Sequence, residues 1–175
     1  DSYNGSADLP WKTFHHAISQ INRGTPGAGA YVLHVALGTY NVSGSTREAD
    51  EEIILSQSDV TIIGESGSAP IINGTGATSW TKGLDVTGTN VTVENLYVTG
   101  FSDTDEEGIR ISSENGGTQQ TEIRRCKLYG NNWGIRVNNA IGVIIRDSEF
   151  YQNTTHGIDV TWSSDVEIVG NKVYN

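Results

Sequence analysis

Asp85, Arg110, Arg136 and Asp159 each stand two residues after a glycine, in the segments Gly83-Leu-Asp-Val86, Gly108-Ile-Arg-Ile111, Gly134-Ile-Arg-Val137 and Gly157-Ile-Asp-Val160. An arginine grips a carboxylate bidentately and a carboxylate beside it exchanges protons, so the set reads as candidate catalytic chemistry on a carboxylate-bearing substrate. Lys82, Glu107, Trp133 and His156 immediately precede the same glycines. Lys82 is a candidate base, against which Glu51 and Glu107 count because acidic neighbours keep a lysine charged. Trp133, His156 and Trp162, with the two tryptophans placed in turns, supply rings for stacking on sugar faces. Asp103, Asp105, Glu106 and Glu107, with Asp50 to Glu52 two rungs away, offer the hard oxygen ligands that Ca2+ takes. A second reading of the Asp and Arg positions is a charge ladder that merely steadies the fold, worth about 0.2–1 kcal/mol per pair.

Composition narrows the partners. The chain has 21 Asp plus Glu against 11 Lys plus Arg, a formal charge of -10 over 175 residues. Such a surface repels phosphate backbones and anionic membranes, so nucleic acid is excluded as a partner, and an acidic polysaccharide needs a local basic patch or bridging Ca2+. No run approaches the roughly 18 apolar residues of a membrane span. Cys126 is the single cysteine, so no intrachain disulfide forms. Five Asn-x-Ser/Thr sequons occur, at Asn4, Asn41, Asn73, Asn90 and Asn153.

The elements that position these residues follow from repetition. The four opening glycines recur at spacings of 25, 26 and 23, and each is followed by a second and a third short apolar run: Val91 to Val93 and Leu96 to Val98, then Thr121 to Ile123 and Cys126 to Leu128, then Val143 to Ile145 and Ser148 to Phe150, then Val166 to Ile168 and Asn171 to Val173. Three strands of about three residues are too short for a sandwich. A coil that returns to the same place each turn pairs every strand with its copy on the next rung. Equivalent residues then stack about 4.8 Å apart, and alternation puts Ile109, Ile111, Ile135 and Val137 inside with Arg110 and Arg136 outside. Tyr129, Tyr151 and Tyr174 form an outward column, and Cys126, Ser148 and Asn171 an inward one. The expected fold is all-β: a right-handed parallel β-helix, a three-sheet solenoid of about five coils in one domain over 1–175. Residues 11–22 form an N-terminal cap helix with Trp11, Phe14, Ile18 and Ile21 on one face, residues 31–82 the irregular first coils and 83–175 the regular ones. The C-terminal end reads as uncapped, which predicts end-to-end self-association or continuation into a longer chain.

The opening Pro10-Trp-Lys-Thr-Phe-His-His-Ala17, the turn Gly38-Thr-Tyr40 and the Gly-Ile-x-Val rungs resemble the pectate-lyase-like right-handed β-helix superfamily over nearly the whole chain. The resemblance implies an extracellular or cell-surface protein that binds or acts on polysaccharide, lyase- or hydrolase-like, through the outward face of the first sheet. The alternative is a noncatalytic surface, adhesion or tailspike-like solenoid. The Tyr-Gly-Phe/Ile-Asp-Pro-His signature of the epimerases and the Arg-x-Pro-x-x-Arg segment of the Ca2+-dependent pectate lyases are both absent.

Overall fold

A computed structural model of the chain describes residues 6, 8–24, 29–42, 53–67, 69–77, 81–113 and 116–175. One helix, α1 (Phe14–Asn22), is followed by a partial rung, β1 (Tyr31–Val35) and β2 (Thr39–Asn41). Five full rungs follow: β3 (Ile54–Leu55), β4 (Val60–Gly64) and β5 (Ile71–Asn73); β6 (Lys82–Val86), β7 (Val91–Glu94) and β8 (Tyr97–Thr99); β9 (Glu107–Ser112), β10 (Glu122–Arg124) and β11 (Lys127–Tyr129); β12 (Trp133–Asn138), β13 (Ile141–Arg146) and β14 (Glu149–Tyr151); β15 (His156–Thr161), β16 (Ser164–Val169) and β17 (Lys172–Tyr174). They stack into an opening sheet β3-β6-β9-β12-β15, a middle sheet β1-β4-β7-β10-β13-β16 and a closing sheet β2-β5-β8-β11-β14-β17. Every pairing is parallel, which is what a coil of constant hand requires.

The columns read from the glycine spacing are the columns of the fold: Ile109 lies against Leu84 and Ile135, and Ile135 against Ile158. The inward positions make one continuous core, in which Leu84, Ile111, Ile123, Leu128, Val137, Ile145 and Phe150 are buried. Steric contact explains why glycine opens each regular coil. A Cβ on Gly83 would stand 2.5 Å from the carbonyl oxygen of Gly108, one on Gly108 2.7 Å from that of Gly134, and one on Gly134 2.5 Å from that of Gly157. Each missing side chain thus admits the backbone of the next rung.

Asparagines staple the turns. The Nδ2 of Asn131 donates to the Val98 carbonyl (3.1 Å), its Oδ1 accepts from the Phe101 N–H (3.2 Å), and its own N–H donates to Asn153 Oδ1 (3.1 Å). In the Cys126, Ser148 and Asn171 column, the Cys126 N–H donates to Ser148 Oγ and the Ser148 N–H to Asn171 Oδ1. Burial pushes the Cys126 thiol up to about 11, so it serves as a core side chain rather than a nucleophile.

The helix begins at Phe14, not at Trp11. Thr13 is extended and its hydroxyl accepts from the His16 N–H, so it fills the N-cap and leaves Trp11 outside the helix. Phe14, Ala17, Ile18 and Ile21 are buried against the first rungs. Asn22 ties the helix end to the opening sheet, donating to the Ile54 carbonyl (2.6 Å) and accepting from the N–H groups of Ser56 and Gln57. At the opposite end the inward columns are uncovered. Val160, Ile168 and Val173 are 40%, 48% and 59% exposed, whereas their partners one rung below, Val137, Ile145 and Phe150, are fully buried. Among the described residues no helix is long and apolar enough to cross a membrane.

Candidate functional site

Outward side chains of the opening sheet fall into three columns. Nearest the strand starts are Lys82, Glu107, Trp133 and His156, in direct register. These four, including Trp133, are the first residues of their strands rather than turn residues, because ladder pairing extends past the glycine to the residue before it. Ile54, Asp85, Arg110, Arg136 and Asp159 form the second column, as the sequence predicts. Ser112, Asn138 and Thr161 form the third.

Geometry divides the two arginines. Arg136 is fully engaged: its Nη1 is 3.3 Å from Glu107 Oε1, its Nε 3.3 Å from Asp159 Oδ2, and its guanidinium lies 4.2 Å from the Trp133 ring centre. Arg110 has one long ion pair, Nε to Asp85 Oδ1 at 3.9 Å. Asp85 and Lys82 belong to outward columns yet are buried, so of the predicted catalytic residues it is the arginines and Asp159 that present accessible surface. The third column supports the second, with Ser112 Oγ donating to Asp85 Oδ1 (3.4 Å) and Thr161 Oγ1 to Asp159 Oδ2 (3.0 Å).

Arg110 lines a recess of about 440 Å³ together with Ser112, Ser113, Asn138, Asn139 and Trp162. Trp162 sits in the turn after β15 at φ 50°, a left-handed conformation that bulky side chains rarely adopt, and is 84% exposed. The turn backbone thereby holds an indole out in water at the rim. His156, at the other edge of the face, is also exposed. Sequence reasoning missed the serines and asparagines. Ser112 and Asn138 had a signal, since each is two residues beyond an outward arginine, but Ser113 and Asn139 lie in turns, where no period applies.

The acidic loop does not assemble a Ca2+ ligand set. Glu106 is turned inward, where its Oε2 accepts from the Asp103 N–H (2.8 Å), and Glu107 is held by Arg136. Asp105 stands at φ 59° in the turn, and among the described residues no group of three or more His, Cys, Asp or Glu side chains is placed to hold a metal ion. Asp50 to Glu52 lie outside the described residues.

Both buried glutamates titrate high. Burial raises Glu106, helped by the charge of Asp103 and opposed by the Asp103 N–H. Burial also raises Glu107, although Lys82, Arg110 and Arg136 pull it down. A folded state that holds protons to higher pH than the unfolded chain is most stable below the ordinary carboxyl range, and that stability is lost as pH rises through the raised values. Glu94 and Glu149 run the other way: burial would raise Glu94 but Arg125 and Arg124 hold it down, and Lys127 lowers Glu149. Comparing Glu106→Gln with the parent isolates one contribution. The variant is expected to match the parent near pH 4 and exceed it in melting temperature at pH 8, and equal temperatures at both would refute the assignment.

The other two faces are internally paired. On the middle sheet Arg124 bridges Glu94 (2.7 Å) and Glu122 (3.1 Å), while Arg146 pairs with Glu122 and Asp147. On the closing sheet Tyr129, Tyr151 and Tyr174 stack at 4.8 and 5.4 Å beside a Lys127–Glu149–Lys172 ladder.

Comparison with known proteins agrees with this architecture. A family model described as "Right handed beta helix region" matches residues 55–175. No curated protein matches the sequence. The fold is similar to that of ORF18 of Geobacillus virus E2, with a TM-score of 0.69 and 15% identity over 98% of this chain and 35% of that one. It is also similar to two pectin methylesterase structures at 12% identity: a complex with hexasaccharide VII (TM-score 0.52, 87% of this chain, 56% of that) and a mutant with hexasaccharide IV (TM-score 0.56, 99% and 66%). This chain spans about a third of the viral protein and less than two thirds of the pectin methylesterases. At these identities what is shared is the fold.

Proposed function

The chain belongs to the right-handed β-helix family, and on that premise we propose that the outward face of its opening sheet binds polysaccharide, with Arg110 taking the carboxylate of a uronate unit. The observation that carries this reading is the recess itself. It joins a half-exposed guanidinium, an exposed indole and four hydroxyl- or amide-bearing side chains in a volume within the roughly 300–1,000 Å³ range of small-ligand sites. A guanidinium fork matches a carboxylate, an indole face covers the C–H face of a pyranose, and serine and asparagine both donate to and accept from hydroxyls. The pectin methylesterase structures with bound hexasaccharides support the class of ligand by analogy of fold. An extracellular or cell-surface setting follows from that class of ligand.

We take the face to be a binding one before a catalytic one. The carboxylates that lyase- or hydrolase-like chemistry would use, Asp85 and Asp159, are each paired to an arginine. The engagement of Arg136 on three sides favours a second reading for that half of the column, a structural ladder in a noncatalytic solenoid.

Titration with tetragalacturonate and neutral tetragalactose tests the proposal. Arg110→Ala is expected to weaken tetragalacturonate binding about tenfold and leave tetragalactose unchanged, whereas Trp162→Ala weakens both by a similar factor. Melting temperatures should move by no more than about 2 °C, since both positions are on the surface. A parent chain inert to both sugars would sink the reading. Retained tetragalacturonate binding by Arg110→Ala, with a lowered melting temperature, would favour the structural ladder. Reducing ends and absorbance of unsaturated products, followed in the same samples, separate binding from cleavage.

A further inference from the structure

One column away from the recess, three polar atoms on residues in mutual contact are enclosed and lack a hydrogen-bond partner: Glu107 Oε2, Trp133 Nε1 and Arg136 Nε. Glu107 is 3% exposed and in register with Trp133 on the next rung, and its other oxygen is held by Arg136 Nη1. Arg136 Nε is within ion-pair range of Asp159 but out of line for a hydrogen bond. Enclosed polar atoms in folded proteins nearly always have partners, so a carboxylate oxygen and an indole N–H left open together point to a missing group. An anion would satisfy the indole and be repelled by the carboxylate, and a cation would do the reverse. A hydroxyl accepts from one and donates to the other.

We infer that Glu107 and Trp133 form a hydroxyl-binding subsite of the glycan face, covered by the Arg136 side chain in the free protein. This rests on the polysaccharide reading and assigns Glu107 to the sugar rather than to a metal. Arg136 is the natural cover. It is a long side chain, 27% exposed, lying across the Trp133 ring and bridging Glu107 to Asp159. Its withdrawal toward Asp159 frees the Trp133 ring face and the Glu107 carboxyl group it holds, while its charge stays paired.

Calorimetric titration of the intact chain with tetragalacturonate tests the subsite. Trp133→Phe keeps the ring and removes the N–H; Glu107→Gln keeps the shape and weakens the acceptor. Each is expected to lower affinity about tenfold, and the change in tryptophan fluorescence that sugar binding still causes in Trp162→Ala is expected to be lost when Trp133→Phe is added to it. Arg136→Ala should bind neutral tetragalactose more tightly than the parent. Parent-like affinity in both Trp133→Phe and Glu107→Gln, with Trp162→Ala still weakened, overturns the subsite and leaves the recess standing. A parent chain that binds neither sugar removes both. Should Glu107→Gln fail to fold, Trp133→Phe decides alone, because its melting temperature separates a lost contact from a lost fold.

Discussion

Gly134→Val is expected to destabilise the chain by about 3 kcal/mol, which lowers the melting temperature by about 6–12 °C for a protein of this size. The added Cβ would stand 2.5 Å from the Gly157 carbonyl oxygen, 2.9 Å from Asn153 Nδ2 and 3.2 Å from the Phe150 ring. Each of these is held by contacts it would have to give up in order to move. The carbonyl belongs to the opening sheet of the next rung, the Asn153 amide is committed to the Leu128 carbonyl, and Phe150 is fully buried in the core. Alanine at the same site meets the same first contact and is expected to cost a smaller but definite amount. Ile144→Thr, on the outward face of the middle sheet and 36% exposed, provides the comparison and should stay within about 0.5 kcal/mol of the parent. Thermal unfolding followed by circular dichroism measures all three. A Gly134→Val variant as stable as the parent would mean that the rungs are not in contact at the glycine column.

Asn131→Ala is expected to cost about 2–4 kcal/mol with no gain in flexibility elsewhere to offset it. The side chain is fully buried, and its loss strips the Phe101 N–H of its partner and removes the amide that donates to the Val98 carbonyl. A stranded backbone N–H costs more than the hydrogen bond it made, because it has given up water without replacement. Asn153→Ala, the equivalent change one rung on, is expected to cost less: Asn153 is only half-buried and the rung above it is open to solvent. Urea titration of the two variants side by side should show a lower midpoint for Asn131→Ala at an unchanged slope. The reverse order would show that the staples are not graded by burial.

The extent to which the site is legible in the sequence differs from one column to the next. The register at Gly83, Gly108, Gly134 and Gly157 places Asp85 beside Arg110 and Arg136 beside Asp159, because a solenoid turns sequence equivalence into proximity. Depth is not readable in that way. Asp85, Lys82 and Glu107 occupy outward positions but are covered, since burial at the surface of a sheet depends on the length and lean of neighbouring side chains rather than on period two. Turns are the other gap. The exposure of Trp162 and the recess beside it follow from left-handed backbone between β15 and β16, and a tryptophan carries no sign of that conformation in its residue type. The helix start is a smaller example: Thr13 looks like an interior residue of an amphipathic run until its hydroxyl is seen to cap the chain.

The glycine column has a consequence for how such a chain lengthens. Each glycine answers to the carbonyl of the next one, so the natural unit of gene duplication runs from one opening glycine to the residue before the following one. A tandem copy of residues 108–133 would set a glycine against a glycine carbonyl at both new junctions. A copy that is not a whole period long would instead deliver a side chain into that gap. Whole rungs can therefore be added while the loops between them vary in length, as they already do at spacings of 25, 26 and 23 residues.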